Sequence, residues 1–113
     1  MRWTTCGAMT HLSEADQSWR RSLAYRDLIT LPANFLLEAS YIRTLDASHN
    51  KLTSLAPLHN CTQLETLILD QNELGSTCEM PPLPSLRYLS VNGNEIADLA
   101  SFVHMIKRSC PNL

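Results

Sequence analysis

The chain contains no run of the roughly 18 apolar residues that a bilayer-spanning helix needs, so no transmembrane segment is expected. It is poor in net charge as well. Nine Lys and Arg against eleven Asp and Glu leave −2, which gives no electrostatic reason to bind nucleic acid or an anionic membrane directly. Polar low-complexity tracts are missing and 44% of the residues are hydrophobic, which excludes a disordered chain; 113 residues make one domain at most. The opening stretch MRWTTCGAMTHLSEADQSW lacks the apolar core of a secretory signal, because Thr4, Thr5, Gly7, Thr10 and His11 interrupt it. The expected compartment is therefore the cytosol, with the nucleus open, and not the outside of the cell.

Chemistry-bearing patterns are equally scarce. The four cysteines make no C-x-x-C pair, and His11, His49, His59 and His104 lack metal-ligand spacing. No glycine-rich phosphate loop or nucleophile elbow is present. No metal, cofactor, catalytic residue or small-molecule substrate is expected. Asn60-Cys61-Thr62 matches the glycosylation sequon, but without a secretory signal the match is read as idle.

What is present is a period. Asn50, Asn72 and Asn94 stand 22 residues apart, in IRTLDASHNKL, LETLILDQNEL and LRYLSVNGNEI. The apolar positions move with them: Ile42, Leu45, Ala47 and Leu52; Leu64, Leu67, Leu69 and Leu74; Leu86, Leu89, Val91 and Ile96. Leu55, Leu58 and Cys61 recur as Thr77, Met80 and Leu83, with Thr77 the one break. Recurrence at six positions and one period marks a repeat architecture, in which each unit buries its apolar face only against its neighbours. The polar amide inside that frame has a physical reason. Where a short strand such as Thr66–Asp70 gives way to a turn, inward-pointing backbone groups lose their ladder partners and must find others. An asparagine side chain offers two donors and an acceptor, so Asn50, Asn72 and Asn94 are expected to stack as a ladder between turns.

The ends are read separately. Stepping back 24 residues from Asn50 reaches Arg26, with Leu23, Leu28 and Leu31 at the matching offsets, so residues 19–41 form a degenerate first coil. Phe35, Leu36 and Ala39 should face inward on its return. Residues 1–18 form an N-terminal segment in which Leu12, Ala15 and Trp19 could cap that coil. Full repeats follow at 42–63, 64–85 and 86–112. In the last, Asp98 is an expected N-cap, and Leu99, Phe102, Val103, Ile106 and Cys110 follow at helical spacing with Lys107 and Arg108 in the final turn. Leu113 falls where a further repeat would open, so a fragment or truncated isoform is expected. The proline-rich loop at PPLP reads as a stiff spacer rather than as a ligand for an aromatic groove.

The frame L-x-x-L-x-L-x-x-N-x-L resembles the leucine-rich repeat, in the 22-residue form similar to intracellular phosphatase regulators. More narrowly, YRDLITLP, IRTLDASHNKLTSL, LETLILDQNELG and PPLPSLRYLSVNGNEIADL resemble the family of the leucine-rich melanocyte differentiation-associated protein, over about residues 23–113. That family has a further repeat and a C-terminal tail. The resemblance implies an α/β fold: a right-handed solenoid with a short parallel sheet on its concave face and irregular, 3-10 or helical convex segments. It also implies a non-enzymatic adaptor with a protein partner, in melanocyte differentiation or vesicle trafficking. The cysteine cluster that opens extracellular leucine-rich proteins is missing.

On such a fold the outward strand positions are the candidate partner surface: Thr44, Asp46, Ser48 and His49; Thr66, Ile68, Asp70 and Gln71; Tyr88, Ser90 and Asn92, with Gly93 beside them. Stacking places Ile68 and Tyr88 as a diagonal apolar pair with a polar rim, the composition of a binding hot spot. Two other readings are kept. One is a nuclear scaffold resembling the A-prime protein of the U2 splicing particle; the other is an enzyme using Asp46 and Asp70, against which both are solvated acids that repel wrong partners. Cys61 and Cys110, three residues before an opening leucine, are expected as small buried hydrophobes.

Overall fold

The computed structural model describes residues 19–37, 39–75 and 78–113. The expected cap by Leu12 and Ala15, together with Cys6 and Thr77, lies outside them, as does the side chain of Leu36. Four three-residue strands form one parallel sheet in chain order: β1 (Arg20–Ser22), β2 (Thr44–Asp46), β3 (Thr66–Ile68) and β4 (Tyr88–Ser90). The register is Arg20 to Thr44 to Thr66 to Tyr88, and Ser22 to Asp46 to Ile68 to Ser90. It therefore advances by the spacing of the sequence pattern, 24 and then 22 residues.

The strands β2, β3 and β4 each start from the same tight turn, which recurs at Leu113. The amides of Ile42, Leu64, Leu86 and Leu113 donate to the carbonyls of Ala39, Cys61, Leu83 and Cys110, three residues back. Ala39, Cys61 and Leu83, whose carbonyls close those turns, have no exposed surface. Cys61 is free, and burial pushes its thiol up to about 11, so it behaves as an inert hydrophobe. Between strands the chain returns through α1 (Ala33–Leu36), a 3-10 turn over Ala39–Tyr41 and another over Ala56–Asn60. Phe35 and Leu58 fill the space these segments enclose.

The last return is a helix, α2 (Leu99–Ser109). The Asp98 side chain accepts from the Ser101 amide at 3.1 Å and from the Ser101 hydroxyl at 2.8 Å, the capping expected of that position. The buried face differs from the expected one. Phe102, Met105, Ile106 and Cys110 are buried, whereas Leu99 and Val103 stay 65% and 42% exposed. The helix turns toward the preceding repeat instead. Met105 Sδ accepts the Met80 amide, the Ser109 hydroxyl donates to the Met80 carbonyl, and Ser109 in turn accepts from the Leu83 amide. These bonds commit the proline-rich loop to the fold, with Met80 and Leu83 buried on either side of Pro81 and Pro82. The Leu99–Val103 row lies over the open flank of β4 with Leu89 and Val91. No helix among the described residues is long and apolar enough to cross a membrane.

Candidate protein-interaction face

The outward side of the sheet is framed by two backbone rows. Before each of the first three strands one carbonyl accepts two amides: Trp19 from Arg43 and Thr44, Arg43 from Glu65 and Thr66, Glu65 from Arg87 and Tyr88. Beyond each strand the ladder continues as Tyr25, His49 and Gln71 donate to the carbonyls of Ser48, Asp70 and Asn92. Those three residues and Gly93 share a left-handed backbone, with φ between 58° and 72°. That conformation costs a side-chain-bearing residue about 1 kcal/mol or more, and the gain is a bonded turn. Stacking offsets part of it: the Tyr25 and His49 rings lie 4.2 Å apart and 9° from parallel. A Cβ at Gly93 would also run into the Gln71 side-chain amide, which would have to move aside.

Beneath these turns the three asparagines do the same work. Asn50 Nδ2 donates to the Leu23, Ala47 and Ser48 carbonyls while its Oδ1 accepts from Arg26 and Leu28. Asn72 donates to Ala47, Leu69 and Asp70 and accepts from Leu52. Asn94 donates to Leu69, Val91 and Asn92 and accepts from Leu74. Each amide thus reaches its own turn and the one before it. Asn50 and Asn72 are buried; Asn94 is half-buried.

The outward residues are not one uniform surface. Ser48 was expected to face out but is only 7% exposed, because its hydroxyl and amide both turn onto Asp46 Oδ1, at 2.7 and 3.0 Å. Asp70 Oδ1 accepts from the Ser90 hydroxyl at 2.6 Å and the Asn92 amide at 2.8 Å, and Asn92 Nδ2 donates to Ser90. Asp46 and Asp70 are therefore half-buried acceptors of internal hydrogen bonds and not the freely solvated acids expected. With His49 stacked and Gln71 folded against Gly93, this half of the face is spent on holding turns together.

The other half is open. Thr44, Thr66, Ile68 and Tyr88 line a groove of about 700 Å³ at the start of the strands. Tyr88, 56% exposed, walls it on one side and Trp19 on the other. Arg43 and Glu65 also line it and were absent from the residues expected to matter. They sit one position before the alternating strand pattern, where period-two reasoning stops. Among the described residues, no group of three or more His, Cys, Asp or Glu could hold a metal ion.

Residues 42–83 match the family described as "Leucine Rich repeats (2 copies)". The chain is 41% identical over 66 residues to a human protein called "Leucine-rich melanocyte differentiation-associated protein", covering 58% of this chain and 33% of that one. It is 39% identical over 61 residues to the "187-kDa microtubule-associated protein AIR9" of Arabidopsis thaliana, covering 52% of this chain and 4% of that one. The chain therefore spans a third or less of the length of either relative. No solved structure matches it significantly. The 22-residue period, the parallel strands in its register, the amides beneath each turn and the family match agree: residues 42–83 are leucine-rich repeats.

Proposed function

We propose that the chain is a non-enzymatic protein–protein interaction module, an adaptor that holds a protein partner on the outward face of its sheet. Leucine-rich repeat domains generally mediate such interactions. In this reading the coils at 19–41, 42–63, 64–85 and 86–112 wind as a right-handed solenoid, and the face is concave. The observation that carries it is the division of that face. Asp46 bonds to Ser48, and Asp70, Ser90 and Asn92 bond to one another, while Thr44, Thr66, Ile68 and Tyr88 line a groove and, among the described residues, make no side-chain hydrogen bond with one another. A half-buried isoleucine beside an exposed tyrosine supplies an apolar anchor, and the saturated polar half supplies a stiff rim.

The similarity to the melanocyte differentiation-associated protein supports placing this adaptor in that process. Partner capture with the intact chain, Ile68→Asp and Tyr88→Ala tests the face. Both variants should lose at least about tenfold in captured partner, as hot-spot truncations do, while melting where the parent melts. Undiminished capture by both would place the binding surface elsewhere.

A further inference from the structure

The groove at the start of the strands has a charge pattern that its partner must answer. The residues before β2, β3 and β4 are Arg43, Glu65 and Arg87, all exposed and joined side by side through their backbones. Among the described residues, no hydrogen bond or ion pair engages the side chains of these three. Arg20 adds a further cation at the Trp19 end, with its guanidinium 5.6 Å from the indole ring centre. The chain as a whole carries a net charge of −2, so a row of two arginines to one acid is a local reversal of sign. The opposite half of the face holds two carboxylates that are already bonded internally. An incoming anion therefore meets the Arg43 and Arg87 guanidinium groups at one end of the face and two internally bonded carboxylates at the other.

Resting on the reading of this face as the partner site, we propose that the groove takes an extended acidic peptide segment of the partner. Its chain runs across the strands from Trp19 toward Tyr88. One apolar side chain enters between Ile68 and Tyr88, and carboxylates on either side of it meet Arg43 and Arg87. Neighbouring strands lie about 4.8 Å apart, so Arg43 and Arg87 start roughly 10 Å apart, and alternate residues of an extended chain, which share one face, lie about 6.6 Å apart. The recognised pattern is thus acid–x–apolar–x–acid, whose two carboxylates, about 13 Å apart, flank the apolar side chain within reach of the long arginine side chains. Glu65, midway, repels a continuous acidic run and so favours this interrupted pattern.

A phage-displayed random dodecapeptide library selected on the full chain tests this. Enriched peptides should carry the acid–x–apolar–x–acid pattern. Arg43→Glu and Arg87→Glu should each weaken them about fivefold or more, and added salt should weaken them further. Ile68→Asp should abolish their capture whatever their charge. Peptides lost with Ile68→Asp but indifferent to both arginine reversals would overturn the acidic assignment and leave the face as the binding site. Enriched peptides indifferent to all three changes, or no enriched peptides at all, would sink both.

Discussion

Leu67 and Leu89 hold the same place in successive repeats, yet one is sealed and the other half-exposed. The same contrast separates Leu69 from Val91, Leu74 from Ile96 and Asn72 from Asn94. Sequence makes these pairs equivalent; their surroundings do not. A repeat is buried by what stacks on both its sides, and β4 has a described neighbour only at β3. Stability in such an array is a sum of units and interfaces, so the interior pair of turns should tolerate least and the β4 flank most.

Truncation at equivalent positions exposes this gradient most sharply. Leu67→Ala removes atoms from a site with no exposed surface and should cost about 2–5 kcal/mol. Leu89→Ala, facing the groove that Leu99 and Val103 line, should cost about half that, since some of the lost contact is already with solvent. Denaturant midpoints of the two variants measure the difference. Equal losses would mean that the β4 flank is covered in solution.

The asparagines repeat the comparison with polar groups. Asn72→Ala leaves the Leu52 amide without its acceptor in a buried site and takes one of two side-chain donors from each of the Ala47 and Leu69 carbonyls, a loss of about 1–3 kcal/mol. Asn94→Ala strands equivalent groups where water can reach them, so about 1 kcal/mol is expected. Hydrogen exchange at the Leu52 and Leu74 amides reads the two sites directly. Faster exchange confined to the amide that lost its acceptor would tie each loss to its ladder bond.

How far all this could be seen beforehand varies with the kind of force involved. The core positions and Asn50, Asn72 and Asn94 were legible because burial imposes a period, and a period survives in the letters. Ser48 was not, because its burial depends on a short bond to Asp46 rather than on its place in the pattern. Helical spacing proposed Leu99 and Val103 for the inner face of α2. Which stripe of an amphipathic helix turns inward was decided by Met80 and the proline-rich loop, and that is tertiary information. The left-handed column was hidden because only Gly93 advertises it plainly; Tyr25 and Gln71 are residue types that seldom adopt φ near +60°, and His49, of a type that does so more often, is a weak signal alone.

That column yields the next prediction. Gly93→Ala should cost about 1 kcal/mol from the left-handed backbone, plus the displacement of a flexible Gln71 side chain. A Gly93→Ala, Gln71→Ala double variant restores the space but not the backbone preference. Part of the loss should return, and thermal unfolding of the three proteins separates the two causes. Full recovery would mean that crowding, not backbone, fixes glycine here.

The smallest effect expected is at the start of α2, on the exposed flank. Hydrogen bonds from the Ser101 hydroxyl and amide hold the Asp98 carboxyl below its ordinary value of 3.8. A depressed folded value means that the carboxylate contributes stability that is complete above 3.8 and is lost as pH falls through the lower folded value. Asp98→Asn keeps a capping acceptor but has no proton to gain. The parent should therefore lose stability in acid relative to Asp98→Asn, while the two differ little at neutral pH. Helix signal by circular dichroism, followed from pH 7 downward, makes the comparison. Parallel acid profiles for the two proteins would show that the cap is frayed in solution, and that the β4 flank loosens as far as the first turn of its helix.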